Sequence, residues 1–245
     1  MSAKVWLVGA GPGDPELLTL KAVRALREAA VVMIDDLVNP AVLEHCPQAR
    51  VIGVGKRGGC RSTPQAFIHR LMLRYARQGH CVVRLKGGDP MIFGRGSEEA
   101  DWLAAHGIEA EVVNGITAGL AGATQCGIPL TLRGVSRGVT LVTAHTQDDS
   151  SLNWAALAAS GTTLVVYMGV AKLGEVRDQL IAGGMRADMP VALIESASLP
   201  QQRECRCDLA GMQQAAADFA LKSPAVLVIG DVATAAREAV LAISA

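Results

Sequence analysis

Short apolar runs alternate with longer segments of helical spacing along the whole chain of 245 residues. Apolar runs that end in Gly, Pro or Asp are typical of strands buried on both faces of a sheet. The alternation therefore predicts an α/β fold with two lobes, each a mostly parallel sheet flanked by helices. The predicted strands are 5–8, 31–34, 50–54, 81–85 and 111–113 in the first half, and 139–143, 163–167, 191–195 and 225–229 in the second.

Apolar positions at helical spacing predict helices between those strands. Asp14 is expected to cap the first helix, because a side-chain oxygen there accepts a bond from a free backbone amide. The predicted helices are 15–29, 40–46, 63–78, 96–106, 118–126, 154–159, 172–182 and 212–221. The pattern divides the chain into an α/β lobe over 1–114, a helix and linker over 115–137 and a second α/β lobe over 138–245. We expect the active site in the cleft between the lobes.

Composition and charge narrow the classes of function. The chain carries 23 basic and 23 acidic residues, so no overall field attracts nucleic acid or an anionic membrane. No apolar run approaches the roughly 20 residues of a membrane-spanning helix, and the N-terminus has no signal-peptide pattern, so we expect a cytoplasmic protein. The six cysteines form no paired cluster with histidine, so no metal site is expected.

The loop after the first strand, Gly9-Ala10-Gly11-Pro12-Gly13-Asp14, resembles part of a dinucleotide-binding fingerprint. Asp14, however, occupies the position of the third glycine and brings negative charge to where a pyrophosphate would bind. Pro12 and Pro15 also remove two backbone amides that would bind phosphate. NAD and FAD are therefore disfavoured as cofactors.

A second glycine loop follows the strand 81–85, with the sequence Lys86-Gly87-Gly88-Asp89-Pro90. The two glycines allow a ligand to approach the backbone closely, and Asp89 can accept hydrogen bonds from an amine or a hydroxyl. No Lys-Ser or Lys-Thr pair follows at P-loop spacing, which disfavours a nucleoside triphosphate. A neutral or cationic ligand with an adenosine-like part fits this loop better.

These loops belong to a series of motifs that resembles the tetrapyrrole methylase family, in particular its uroporphyrinogen-methylating branch. The resemblance covers nearly the whole chain with its spacing kept, and VGKR together with GGDPMIFGRGSEE is typical of that branch. The motifs are VGAGPGDPELLTLKA at 8–22, DDLVNP at 35–40, VGKRGG at 54–59, VVRLKGGDPMIFGRGSEEA at 82–100, NGITAG at 114–119, GIPLTLRG at 127–134, LVVYMG at 164–169 and MPVALIE at 189–195.

The resemblance implies an S-adenosylmethionine-dependent methyltransferase, usually a homodimer. The implied reaction adds two methyl groups, at carbons 2 and 7 of uroporphyrinogen III, and gives precorrin-2 and S-adenosylhomocysteine. The pathways implied are those to sirohaem, cobalamin and haem d1. The implied cofactor contacts are Pro12, Gly87, Gly88, Asp89, Ile92, Thr117, Ala118, Met168, Ala197, Pro224 and Ala225.

The resemblance also implies an acid–base pair, with Asp35 as the proton acceptor and Lys56 as the proton donor. The chemistry requires such groups, because a ring carbon attacks the methyl group as an enamine and a proton must leave nitrogen or carbon around each transfer. Two simpler interpretations stay open: Asp35 as a turn or capping carboxylate, and Lys56 as a contact to a substrate carboxylate.

A substrate with several carboxylates needs local cations on a neutral protein. Arg95 and Arg133 lie at motif positions bordering the expected cleft, and arginine suits bidentate carboxylate binding. Glu98, one turn after Arg95, is expected to orient it or to contact a pyrrole NH. Other arginines of this kind, Arg57, Arg61 and Arg137, are equally compatible with a solvated surface.

The chain departs from the family pattern at three places. Asn114 replaces a proline, Leu132 replaces a histidine, and Ser196-Ala197-Ser198 replaces Asn-Gly-Thr, which puts the Ala197 contact in question. Two alternatives stay open at this point. One is a later precorrin methyltransferase of the cobalamin pathway, and the other is a non-catalytic nucleotide-binding module.

Overall fold

The computed structural model describes residues 4–55, 63–145 and 152–234. The chain divides into two compact units, Met1–Thr117 and Ala118–Ala245.

The first unit is built on a parallel sheet, as the sequence predicted. Its strand order is β3-β2-β4-β1-β5, and all four pairings of neighbouring strands are parallel. The strands are β1 (Val5–Gly9), β2 (Val31–Ile34), β3 (Arg50–Gly53), β4 (Val82–Lys86) and β5 (Ala110–Val113). In a parallel sheet all carboxyl ends lie at one edge, so the loops after β1, β4 and β5 are neighbours.

Helices cover both faces of this sheet. They are α1 (Leu20–Glu28), α2 (Gln65–Arg77) and α3 (Gly96–Ala104), with 3₁₀ turns at Pro15–Leu17 and Pro40–His45. The predicted start of the first helix was wrong. Asp14 caps only the 3₁₀ turn, by accepting from the Glu16 amide, while Thr19 Oγ1 accepts from the Ala22 amide and caps α1.

The two faces of the first sheet carry different cores. Trp6, Val8 and Leu85 pack with residues of α1 on one face. Leu7 and Met33 pack on the other face with residues of α2 and α3. Successive side chains of a strand point to opposite faces, which explains how neighbouring residues enter different cores.

The second unit contains a mixed sheet. Its order is β6-β7-β10-β8-β9, and only β6 and β7 pair in parallel among its described strands. The strands are β6 (Val139–Thr143), β7 (Thr163–Tyr167), β8 (Pro190–Glu195), β9 (Arg203–Asp208) and β10 (Ala225–Ile229). The predicted mostly parallel sheet is therefore wrong for this half of the chain. A buried Val/Leu run looks the same in either direction, and the hairpin of β8 and β9 needs no crossover helix.

Helices also flank the second sheet. They are α4 (Ala118–Gln125), α5 (Trp154–Ala159), α6 (Leu173–Ala182) and α7 (Met212–Asp218), with 3₁₀ turns at Val170–Lys172 and Asp231–Ala233. Helices α5, α6 and α7 contribute to one core, and α4 contributes to the core on the opposite face. Across the described parts of both units, no helix has the length and apolar character needed to cross a bilayer.

Candidate active site

Three loops meet at the carboxyl edge of the first sheet. The Gly11 amide donates to the Gly88 carbonyl at 3.2 Å, and the Gly88 amide donates to the Gly11 carbonyl at 2.7 Å. Gly9 and Gly115 are so close that a Cβ on Gly9 would lie 2.5 Å from the Gly115 nitrogen and 2.6 Å from the Gly88 oxygen. Glycine is required here because the backbones of three loops touch one another. Pro12 lies half-buried beside this contact.

Asp89 ties two of these loops together. Its Oδ1 accepts from the Met91 amide at 2.7 Å, and its Oδ2 accepts from the Gly115 amide at 3.1 Å and from Asn114 Nδ2 at 3.3 Å. Asp89 is buried, so these bonds compensate the loss of water around its charge. The Asn114 bond gives a physical role to one departure from the family pattern, because a proline has no side-chain amide to donate.

Asp35 directly follows β2 and is one end of a network of charged side chains. Arg84 Nη2 lies 2.6 Å from Asp35 Oδ1, and Arg84 Nε lies 3.3 Å from Glu99 Oε1. Lys86 Nζ lies 3.0 Å from Glu99 Oε2. The side chains of Arg84, Lys86 and Glu99 are 3%, 5% and 0% exposed, whereas that of Asp35 is 28% exposed. Asp35 is thus the member of the network that a ligand can reach.

Residues of α2 complete the bonding around Glu99. Gln65 Nε2 donates to Glu99 Oε1 at 2.8 Å and lies 3.2 Å from His69 Nε2. His69 stacks on Trp102 of α3, and its burial lowers the pKa of its imidazole. Burial, reinforced by the neighbouring guanidinium of Arg84, also lowers the pKa of Lys86, while the Glu99 carboxylate opposes that change.

Sequence reasoning missed Arg84, Lys86 and Glu99 as residues of the candidate site. The available signal was the strand sequence Val82-Val83-Arg84-Leu85-Lys86. Its two cations are two positions apart, so they lie on the same face of an otherwise apolar strand. Buried cations need carboxylate partners. The sequence alone does not show which of the 23 acidic residues are these carboxylate partners.

Arg95 and Glu98 pair with each other at the start of α3. Arg95 Nε lies 3.0 Å from Glu98 Oε1, and Arg95 Nη2 lies 2.6 Å from Glu98 Oε2. The hydrogen bond from Arg95 holds the pKa of the Glu98 carboxyl below its ordinary value. Both side chains are exposed, so Glu98 orients the guanidinium in solvent. Of the two interpretations of Glu98, this geometry agrees with the orienting one.

The other substrate and cofactor candidates of the first unit are more scattered. Ile92 is half-buried after the Asp89 turn, and Thr117 is buried next to Gly88, whose Cβ position would lie 3.7 Å from the Thr117 Cα. Gly87 packs against Leu37, which follows β2. Lys56 lies outside the described residues.

In the second unit, the cofactor candidates gather at one edge of the sheet. Met168 follows β7, and Ala225 opens the antiparallel neighbour β10. The Ser196 amide donates to the Pro224 carbonyl at 2.9 Å, which holds the turn that contains Ala197 beside the start of β10. Met168, Ser196 and Ser198 all have a positive φ, a strained conformation that is frequent at functional sites.

Helix α4 lies over the same part of the second unit. The Gly119 amide donates to the Tyr167 hydroxyl at 2.9 Å, and a Cβ on Gly122 would lie 3.0 Å from the Ala197 Cβ. Ala118 is the first residue of α4 and is half-buried. Arg133 is exposed and forms no ion pair with any residue that the structure describes.

The profile of the tetrapyrrole (corrin/porphyrin) methylases matches residues 4–213, which is most of the chain. The chain therefore belongs to the tetrapyrrole methylase family, as its motifs predicted. It is 75% identical over 232 residues to a uroporphyrinogen-III C-methyltransferase of Pseudomonas aeruginosa, with 95% of each chain covered. It is 74% identical over 245 residues to a uroporphyrinogen-III C-methyltransferase of Pseudomonas fluorescens, covering 100% of this chain and 99% of the relative.

A solved structure adds the cofactor to this comparison. The crystal structure of a uroporphyrin-III C-methyl transferase from Thermus thermophilus, complexed with S-adenyl homocysteine, is 41% identical to the chain with a TM-score of 0.80. The match covers 94% of this chain and 92% of that one. The α/β fold class and the cofactor class predicted from the sequence agree with this relative.

Proposed function

We propose that this chain is an S-adenosylmethionine-dependent C-methyltransferase that adds two methyl groups to uroporphyrinogen III. The methyl groups go to carbons 2 and 7, and the products are precorrin-2 and S-adenosylhomocysteine. The observation that carries this proposal is the 75% identity to a uroporphyrinogen-III C-methyltransferase across 95% of both chains. The reaction belongs to the synthesis of sirohaem, cobalamin or haem d1, in a homodimeric protein of the cytoplasm.

The residues of each unit fit the proposed methyl donor. A sulfonium is poorly accommodated beside an uncompensated cation, and Lys86, next to the glycine loop, is buried on Glu99 instead. Adenine requires apolar walls and backbone hydrogen bonds, which the edge formed by Met168, Ala197 and Ala225 offers. We assign cofactor binding to Pro12, Gly87, Gly88, Asp89, Ile92 and Thr117 in the first unit, and to Ala118, Met168, Ala197, Pro224 and Ala225 in the second.

When bound, S-adenosylmethionine supplies the electrophilic methyl group. Asp35 accepts the proton that the methylated ring must lose, since its carboxylate is partly open to solvent and fixed at one oxygen. Lys56 returns a proton as the donor of the pair. Arg95, oriented by Glu98, and Arg133 bind carboxylates of the substrate, because exposed guanidinium groups suit bidentate contacts with carboxylates.

The activity is tested with purified protein, uroporphyrinogen III and S-adenosylmethionine. Mass spectrometry should detect a product heavier by two methyl groups, which oxidises to a fluorescent sirohydrochlorin-like compound. If uroporphyrinogen III gains no mass and a later precorrin is methylated instead, the protein is a later precorrin methyltransferase and the proposal is wrong. Light scattering of the same sample tests whether the protein is a dimer.

Binding measurements on two variants test the assignment of residues. Arg133→Ala should raise the substrate KM about tenfold, because one charge-assisted carboxylate contact is lost, and leave the affinity for S-adenosylhomocysteine unchanged. Asp89→Ala should lower the affinity for S-adenosylhomocysteine more than the affinity for the substrate. The variant removes the carboxylate that links the loop of Gly88 to the Gly115 amide. The control is Arg74→Ala, which removes an exposed cation from α2 and should change neither value. Equal loss of both affinities in Arg133→Ala would contradict its role in substrate binding.

A further inference from the structure

The charged network below Asp35 has more members than the proposed proton transfer needs. The network contains two cations, Arg84 and Lys86, and two carboxylates, Asp35 and Glu99. All of them except Asp35 are buried. Burying ionised groups is unfavourable unless they are paired, and apolar side chains in the same space are often at least as stabilising. A purely structural explanation therefore leaves open why this core contains ions.

Arg84 is fixed on all sides. Its Nη1 donates to the carbonyl of Met33 at 3.4 Å and to the carbonyl of Leu85 at 3.2 Å. Its Nε contacts Glu99, and its Nη2 contacts Asp35. The guanidinium is planar and rigid, so contacts with two strands and a helix set the direction of the bond to Asp35.

Glu99 is fixed as firmly as Arg84. Its two oxygens receive bonds from Gln65, Arg84 and Lys86, which lie on α2 and β4. Arg84 contacts two carboxylates, those of Glu99 and Asp35, and Lys86 supplies the second positive charge that balances them. The result is a rigid base of compensated charge with one partly exposed carboxylate at its end.

We propose that Arg84, held by Glu99, is a positioning residue that fixes the Asp35 carboxylate for proton transfer. This inference rests on the proposed role of Asp35 as the proton acceptor. Arg84 occupies Oδ1, and among the described residues no other group bonds to this carboxylate, so Oδ2 is left to accept the proton. An N–H or C–H bond of the methylated ring breaks, its electron pair stays in the ring, and an O–H bond forms on Asp35.

A double-mutant cycle with Asp35 tests the proposal. Arg84→Lys keeps the positive charge but is too short and lacks the planar fork needed to hold Glu99 and Asp35 together. It should lower kcat at least tenfold and change the substrate KM less than threefold. In an Asp35→Asn background, the same substitution should lower the remaining rate by no more than twofold, because Arg84 acts through Asp35.

The matched control is Arg203→Lys, which loosens an arginine–glutamate pair in the second unit. Any effect of it should be the same in both backgrounds. Retained binding of S-adenosylhomocysteine verifies the fold of each variant. If Arg84→Lys does not bind it, the cycle is repeated with Arg84→Gln combined with Glu99→Gln, which removes one charge of each sign.

The outcomes separate the two proposals. An equal loss from Arg84→Lys in both backgrounds, or no loss in either, overturns the positioning role while leaving Asp35 as the acceptor. Full activity of Asp35→Asn overturns the role of Asp35 itself, and the positioning role with it. A loss of kcat confined to the background that retains Asp35 supports both.

Discussion

The two units contain sheets of the same number of described strands but place charge in them differently. In the first unit, Arg84, Lys86 and Glu99 lie within the core between the sheet and its helices. In the second unit, Glu195 is the single buried charged side chain among the described residues, and it lies at a strand end beside the exposed Arg203. The parallel sheet directs its polar loops to one edge, and its ions continue from that edge into the core. In the mixed sheet, amino and carboxyl ends of strands lie side by side.

Removing one carboxylate from each unit should give the largest contrast. Glu99→Ala leaves two buried cations without their shared partner and should lower the free energy of unfolding by about 3–5 kcal/mol. Glu195→Ala should cost about 1–2 kcal/mol, because Arg203 can turn to water. Urea denaturation followed by circular dichroism measures both. Equal losses would show that the two units tolerate charge in the same way.

Glycine substitutions test how closely the loops of the first unit pack. Gly9→Ala should lower stability by about 3 kcal/mol, because its Cβ would overlap backbone atoms of Gly88 and Gly115. Gly53→Ala, on the edge strand β3, meets no atom within 4 Å and should change stability by less than about 0.5 kcal/mol. Thermal melting compares the two variants. A harmless Gly9→Ala would mean that the loops can separate.

A smaller effect is expected at the hydroxyl that anchors α4 in the second unit. Tyr167→Phe removes the acceptor for the Gly119 amide and should cost about 0.5–1.5 kcal/mol. Tyr75→Phe is the control, since its hydroxyl makes no hydrogen bond within the described parts of the chain. Both are measured by urea denaturation. Indistinguishable midpoints would show that packing, and not this bond, holds α4.

The smallest effect should appear as a pH dependence in the first unit. Burial lowers the pKa of His69 in the folded state, so the unfolded chain binds a proton more readily. Stability should therefore decline as the pH falls below about 6.5, the pKa of an unperturbed histidine. Glu99 and Glu98 face His69 and oppose this shift, whereas Arg95 and Lys86 reinforce it.

His69→Gln isolates that contribution, because the variant has no group that titrates at this position. The wild-type protein and the variant are unfolded in urea between about pH 5 and pH 8. Their difference in stability should diminish as the pH falls. A constant difference across this range would assign the pH dependence to other groups.

The sequence predicts nine of the ten described strands, because each of these nine is a short run rich in Val, Leu or Ile between turn residues. It misses β9 (Arg203–Asp208), because charged residues occupy most of that edge strand and leave no apolar run to recognise. It does not predict the direction of β8 and β10, since burial on both faces removes the alternation that would distinguish their environments. The sequence also places the start of the first helix too early. Asp14 and Thr19 both suit a cap, and only the chain path shows which of them borders α1.

The candidate site also has one part that the sequence predicts and one part that it does not. The motifs identify its glycine loops and Asp35, because backbone turns and strand ends are local features. The bond between Arg84 and Glu99 joins residues that are 15 positions apart in the sequence, and it depends on how α3 packs against β4. No local pattern specifies such a contact, so the partner of a buried cation emerges only in the folded chain.

The contact of Gly9, Gly88 and Gly115 has a consequence for how this protein can change over evolutionary time. A Cβ on Gly9 or Gly115 would overlap backbone atoms of the neighbouring loops, and Gly88 has a φ of 67° that disfavours any residue with a side chain. A single substitution at Gly9 or Gly115 should therefore disturb the loops even if the new residue would suit a different ligand. We therefore expect substitutions around this corner, at positions such as Ile92 and Asn114, to be tolerated better than substitutions at Gly9 and Gly115.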